Sequence, residues 1–135
     1  MSVKLTGKIT APFATELMHE SGATIQTTAP KDNGGEGNLF SPTDLFAASL
    51  GSCGLTVISL YANNQKIPLE RAEFIMTKEM HTTPPRRVKR ISITYKIKTP
   101  ADDATFKKLE AVAKTCPVRA SLHPEIELVE QFERI

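Results

Sequence analysis

An antiparallel α+β domain is the fold class this sequence predicts, and three observations predict it. Apolar and polar residues alternate with period two in two long stretches, one holding Ala72, Phe74, Met76 and Met80, the other Ile91, Ile93, Tyr95 and Ile97. Two segments carry helix-start signatures, Ser41-Pro42-Thr43-Asp44 and Thr99-Pro100-Ala101-Asp102. Short strand-like runs fill the amino-terminal part. The expected order is βββ-α-ββ-α-β within a single domain spanning residues 1–135.

Val3 and Leu5, then Phe13 to Met18, then Ala23 to Thr27 read as three short strands, with Glu20-Ser21-Gly22 as a hairpin turn. Residues 31–38 are a polar, glycine-rich loop. Ser41 then caps a helix, with Pro42 at its first position and Asp44 at the capping-box distance. From Leu45 to Tyr61 this helix has apolar or small residues on nearly every side, the pattern of a helix enclosed by protein. Its apolar surface exceeds what one small sheet covers, which predicts that a second subunit covers the rest.

The two alternating stretches after Asn64 are long antiparallel strands joined by His81 to Arg87, and their methionines face the core. A second helix begins at Thr99-Pro100-Ala101-Asp102 and buries Phe106, Leu109, Val112 and Ala113 at helical spacing. It stops before Cys116-Pro117. A helical turn from Pro117 to Leu122 leads into a last strand with Ile126, Leu128 and Phe132 on one face and Glu125, Glu127 and Glu133 on the other. Those acids are expected to pair with Lys96 and Lys98 across strands.

Composition narrows the function. With 40% hydrophobic residues in 135, the chain can bury a core without disulfide staples. No apolar run reaches the roughly 18 uninterrupted residues of a membrane span, and the first twenty residues hold no signal-like run, so the expected setting is soluble and cytoplasmic. A net charge of +2, spread along the chain, demands neither nucleic acid nor membrane as partner. The basic cluster Arg86-Arg87-Val88-Lys89-Arg90 lacks interleaved aromatics and reads as a solvated hairpin end. Gly34-Gly35-Glu36-Gly37 lacks the Lys-Ser/Thr of a phosphate loop, and His19, His81 and His123 form no close-spaced set with the cysteines, so neither nucleotide nor metal is expected.

The cysteines carry the remaining signal. Cys53 lies in the small-residue apolar helix and Cys116 directly precedes a proline-started turn. In a reducing compartment such thiols are catalytic, redox-sensing, metal-binding or simply buried small hydrophobes.

The segment Ser41 to Gly54, the triplet Cys116-Pro117-Val118, their spacing and the order of elements together resemble the OsmC/Ohr family of osmotically inducible and organic-hydroperoxide-resistance proteins. The resemblance covers essentially the whole chain. It implies an intertwined homodimer with buried central helices and a thiol peroxidase site at the subunit interface, working without metal, flavin or other cofactor. It further implies Cys53 as the peroxidatic cysteine, Cys116 as the resolving one, an organic hydroperoxide or hydrogen peroxide as substrate, and a cellular thiol reductant.

Two departures from the family pattern bear on activation. Thr43 occupies the position after the helix-opening proline where the family commonly has glutamate, with Asp44 one residue later, and no arginine occurs before Arg71. Bringing a thiol pKa from about 8.5 to about 5.5 takes roughly 4 kcal/mol of preferential thiolate stabilisation. A helix dipole supplies about 0.3–1 kcal/mol, up to ~2, and only near the first turn. A cation has to supply most of the difference, and Arg119, His19 and Lys31 are the candidates; Glu36 is a candidate carboxylate from the glycine-rich loop. Two other readings remain open beside the peroxidase: a non-catalytic dimer binding an apolar small molecule, and a redox sensor oxidised stoichiometrically.

Overall fold

The structure, a computed structural model, describes all residues from Met1 to Ile135. Strands β1 (Leu5–Ala11), β2 (Ala14–His19) and β3 (Thr24–Thr28) are followed by a 3-10 turn over Lys31–Asn33 and the long helix α1 (Pro42–Asn64). Then come β4 (Arg71–Met80), β5 (Val88–Lys98), α2 (Asp103–Ala113), the short α3 (Pro117–Ser121) and β6 (Glu127–Arg134). The chain divides into two compact units, Met1–Phe46 and Ala47–Ile135.

The first unit is an antiparallel meander in the order β1-β2-β3. Register pairs Gly7 with Leu17 and Leu17 with Ile25, so Leu5, Ile9, Leu17 and Ile25 fall on one face. All four are exposed. Gly22, at φ 94, closes the β2–β3 turn where an L side chain would be strained. The unit ends in the expected capping box: the Ser41 amide donates to Asp44 Oδ2 at 2.9 Å and the Asp44 amide donates to Ser41 Oγ at 3.1 Å.

The second unit packs α1 and α2 against a three-stranded sheet in the order β4-β5-β6. Helix α1 buries Ala47, Leu50, Gly51, Gly54, Ile58 and Ala62, a stripe at helical spacing. Phe46 and Leu60 lie outside that stripe and are exposed, so within one chain the helix is covered on one face rather than on all sides. Helix α1 is long and apolar enough to cross a membrane by length and composition, its serines and threonines interrupting the apolar run without making it polar, and its stripe from Ala47 to Ala62 is buried. Two glycines set how closely the helix lies on the sheet. A Cβ on Gly51 would meet the Phe74 ring, and one on Gly54 would run into the ring and hydroxyl of Tyr95, which is fully buried.

Helix α2 starts as the sequence indicates, with the Asp102 side chain accepting the Thr105 amide at 2.8 Å, and buries Phe106, Leu109 and Ala113; Val112 is half-buried. That hydrogen bond from Thr105 holds the Asp102 carboxyl below its ordinary pKa.

The last strand corrects one expectation. β4 and β5 pair antiparallel, but β6 runs parallel to β5, with Arg90 opposite Glu127 and Lys96 opposite Glu133. The intervening α2 and α3 carry the chain back to the starting end of β5, the connection a parallel pair requires. The acids at the start of β6 therefore meet the arginines at the start of β5 instead of the lysines at its end. Arg90 bridges Glu127 and Glu79, both at 2.9 Å, and Arg87 lies 4.0 Å from Glu125. Lys98 pairs with Glu70 at 3.6 Å, leaving only Glu133 opposite its expected Lys96.

Gly54→Ala is expected to lower unfolding stability by about 1–3 kcal/mol, the usual cost of inserting a methyl into a rigid core. Urea denaturation of the purified variant beside wild type measures it.

Candidate active site

Cys53 and Cys116 come from opposite ends of the second unit's sequence and meet in one apolar cluster. Ala47, Leu50, Val88, Ile91 and Cys116 are its buried members, with Cys53, Met76, Met80 and Leu128 packed against them. Cys53 borders the buried stripe of α1 and is half-buried; Cys116 is fully buried. Both are free thiols, and Cys53 packs against the cluster that buries Cys116.

The chain places Cys116 by simple local rules. Helix α2 stops at Ala113, Cys116 adopts an extended conformation, and Pro117, lacking an N–H, opens α3. Cys116 is thus the N-cap of α3, and its Sγ accepts the Arg119 amide at 3.3 Å. Burial pushes the Cys116 thiol above its ordinary pKa; the Arg119 amide opposes the shift, and the neighbouring Cys53 adds to it. The buried thiol therefore stays protonated at neutral pH.

Arg119 is the candidate cation that the structure sets beside Cys116. Its Nε and Nη2 both donate to Glu130 Oε1, at 2.9 and 2.8 Å, and this pairing raises the guanidinium pKa further. The Arg119 side chain is 35% exposed, whereas that of Glu130 is only 8% exposed and its Oε2 is buried without a partner. Beneath them lies Tyr95, its ring stacked on Phe132 at 5.1 Å and its hydroxyl donating to the Leu50 carbonyl over a long 3.5 Å. Burial, then the charges of Cys116 and Glu130, push the Tyr95 phenol well above its ordinary pKa.

Glu130 and Tyr95 were not singled out from the sequence as site residues. The signal for Glu130 is its parity: it shares the inward face of β6 with Leu128 and Phe132, and a carboxylate there needs a cation. Tyr95 reads from sequence only as a core residue of an alternating strand, and its place beside the thiols depends on Gly54.

The other candidates belong to the amino-terminal unit. His19 Nδ1 bonds the Ser21 hydroxyl at 2.8 Å and accepts the Ser21 amide at 3.0 Å, closing its own turn. Asp44 serves the cap of α1. Glu36 is exposed in the loop, and the Lys31 stem lies against Gly37. No three His, Cys, Asp or Glu residues gather as metal ligands.

The buried thiol and phenol imply a definite alkaline response. Each binds its proton more tightly in the folded chain, while the unfolded chain ionises at the ordinary, lower values. Their contribution to stability is thus complete at neutral pH and falls as pH climbs through those values. Urea midpoints followed from about pH 8 to about pH 11 are expected to drop, and to drop less in Cys116→Ser.

Comparison with known proteins follows the same outline. The model of the family described as OsmC-like protein matches residues 35–130. A solved protein from Psychrobacter arcticus 273-4, ascribed to osmotic stress induction and detoxification response, is 37% identical, with 98% of this chain and 96% of that one covered and a TM-score of 0.87. An OsmC-like protein from Mycoplasma pneumoniae is 17% identical, covered at 100% and 98%, with a TM-score of 0.84. An organic hydroperoxide resistance protein from Elizabethkingia anophelis is 17% identical, covered at 100% and 97%, with a TM-score of 0.77. No curated protein matches. With most of its length inside the family's pattern and a relative of this identity sharing its fold, the chain belongs to the OsmC-like protein family.

Proposed function

We propose that the chain is a thiol-dependent peroxidase of the OsmC/Ohr type. The observation that carries the reading is the gathering of two free thiols, one half-buried and one fully buried, in one otherwise apolar cluster. Cys53, the more accessible, attacks as thiolate the terminal oxygen of a hydroperoxide; the O–O bond breaks, the alkoxide takes a proton and leaves as alcohol, and Cys53 becomes a sulfenic acid. Cys116 then attacks that sulfur, an S–S bond forms and water leaves. A cellular dithiol restores both thiols by exchange. Cys116, held protonated by burial, is suited to wait as the resolving partner. Arg119 supplies a positive charge next to Cys116.

The apolar side chains around the thiols, among them the partly buried Met76 and Met80, suit an organic hydroperoxide better than a small hydrated one. The single chain also leaves apolar surface open, on α1 at Phe46 and Leu60 and on the first sheet at Leu5, Ile9, Leu17 and Ile25. A second copy of the chain is the proposed cover. Light scattering at micromolar concentration is expected to give twice the chain mass; a monomer mass removes that part of the reading.

The deciding experiment treats reduced protein with one equivalent of cumene hydroperoxide and follows intact mass and free thiols. Wild type is expected to lose both thiols and the mass of two hydrogens, while Cys116→Ser retains an oxidised Cys53. If both thiols survive excess peroxide, the peroxidase reading fails, and the same apolar side chains support instead a dimer that binds an apolar molecule.

A further inference from the structure

One buried carboxylate is not explained by packing. Glu130 stands between Leu128 and Phe132 on the inward face of β6, where an apolar side chain of the same size would satisfy the core. It is spent on one contact, with both donors going to Oε1, and its second oxygen is buried with nothing to accept from. A buried ion pair with an orphaned oxygen adds little to stability. Its position offers a different use, because the guanidinium it grips follows Cys116 by one turn of α3, and the amide of that same Arg119 donates to the Cys116 thiol.

We propose that Glu130 is a positioning residue for the thiols: it fixes the Arg119 guanidinium beside Cys116 and Tyr95 and sets how much of its positive charge the thiol cluster feels. This rests on the reading of Cys53 and Cys116 as the reacting pair. The ionisable groups facing the cluster are Cys53 from α1, Tyr95 from β5, Cys116 and Arg119 from α3, and Glu130 from β6, with Lys114 over the Phe132 ring at 5.8 Å. Glu130 raises and Arg119 lowers the proton affinity of Tyr95 from opposite sides of the same balance. With the carboxylate in place the pair is nearly neutral, which moderates thiolate formation. Without it, the cation acts on the thiols unopposed.

The signature is a pair of opposite shifts. Reduced protein is alkylated with iodoacetamide across pH, and each cysteine is followed by peptide mass. Glu130→Gln, which preserves shape, is expected to move the midpoint of the first thiol to react down by about one pH unit. Arg119→Met is expected to move it up by a similar amount, Arg119→Lys to stay near wild type, and the double variant to return toward wild type. An unmoved midpoint in Glu130→Gln overturns the proposal, as do shifts of the same sign in both single variants, which mean lost packing alone. The double variant, which removes both charges, keeps the test available if Arg119→Met alone does not fold. Because alkylation needs no peroxide, the two readings part cleanly. Opposite shifts in a protein that peroxide does not oxidise uphold the role of Glu130 while the peroxidase reading falls; peroxide oxidation with unmoved midpoints overturns the role of Glu130 alone.

Discussion

Everything about the thiol cluster depends on how closely α1 lies on the second sheet. Ordinary side chains at the contact hold a helix away from the sheet it covers, and glycine allows a closer approach. Here Gly51 admits the Phe74 ring and Gly54 admits the buried Tyr95. The second of these touches the chemistry directly, since Gly54 is the residue after Cys53. A larger residue there would lift the helix from Tyr95 and take the Cys53 thiol with it. Gly51 and Gly54 are therefore the spacing device of the site.

Most of the framework was legible because it is local. Capping boxes fix where α1 and α2 begin, and alternation in β4 and β5 fixes which residues face inward; the structure agrees on both. What was not legible depends on direction and distance. The parity of β6 is readable, but whether it runs with or against β5 is decided by the path through α2 and α3, and that path redirected Glu125 and Glu127 from lysines to arginines. The same parity already placed Glu130 among inward residues. Its partner Arg119 was found by asking for a cation, not by asking what a buried carboxylate requires. The meeting of Cys53 with Cys116 is a tertiary contact that no local pattern encodes.

The electrostatics of the cluster are those of a restrained site. Burial disfavours the Cys116 thiolate and the Tyr95 phenolate, and the guanidinium of Arg119 is already engaged by Glu130. The sequence shows the same restraint: no arginine precedes Arg71, and Thr43 rather than a carboxylate follows Pro42. An arrangement of this kind favours a thiol pair that reacts selectively over one that is ionised at all times.

The placement of Cys116 within the crossover between two parallel strands has a mechanical side. A bond from Cys53 to Cys116 would close a ring of chain containing β4, β5 and α2, so that the sheet's central strand lies inside the loop and β6 outside it. Loop-closure entropy for a ring of this size disfavours the unfolded chain by about 4 kcal/mol. Oxidation would thus lock the folded form as well as record an encounter with peroxide, and the reduced protein would be the more pliable of the two, with its thermal resistance rising and falling as the thiols are consumed and restored.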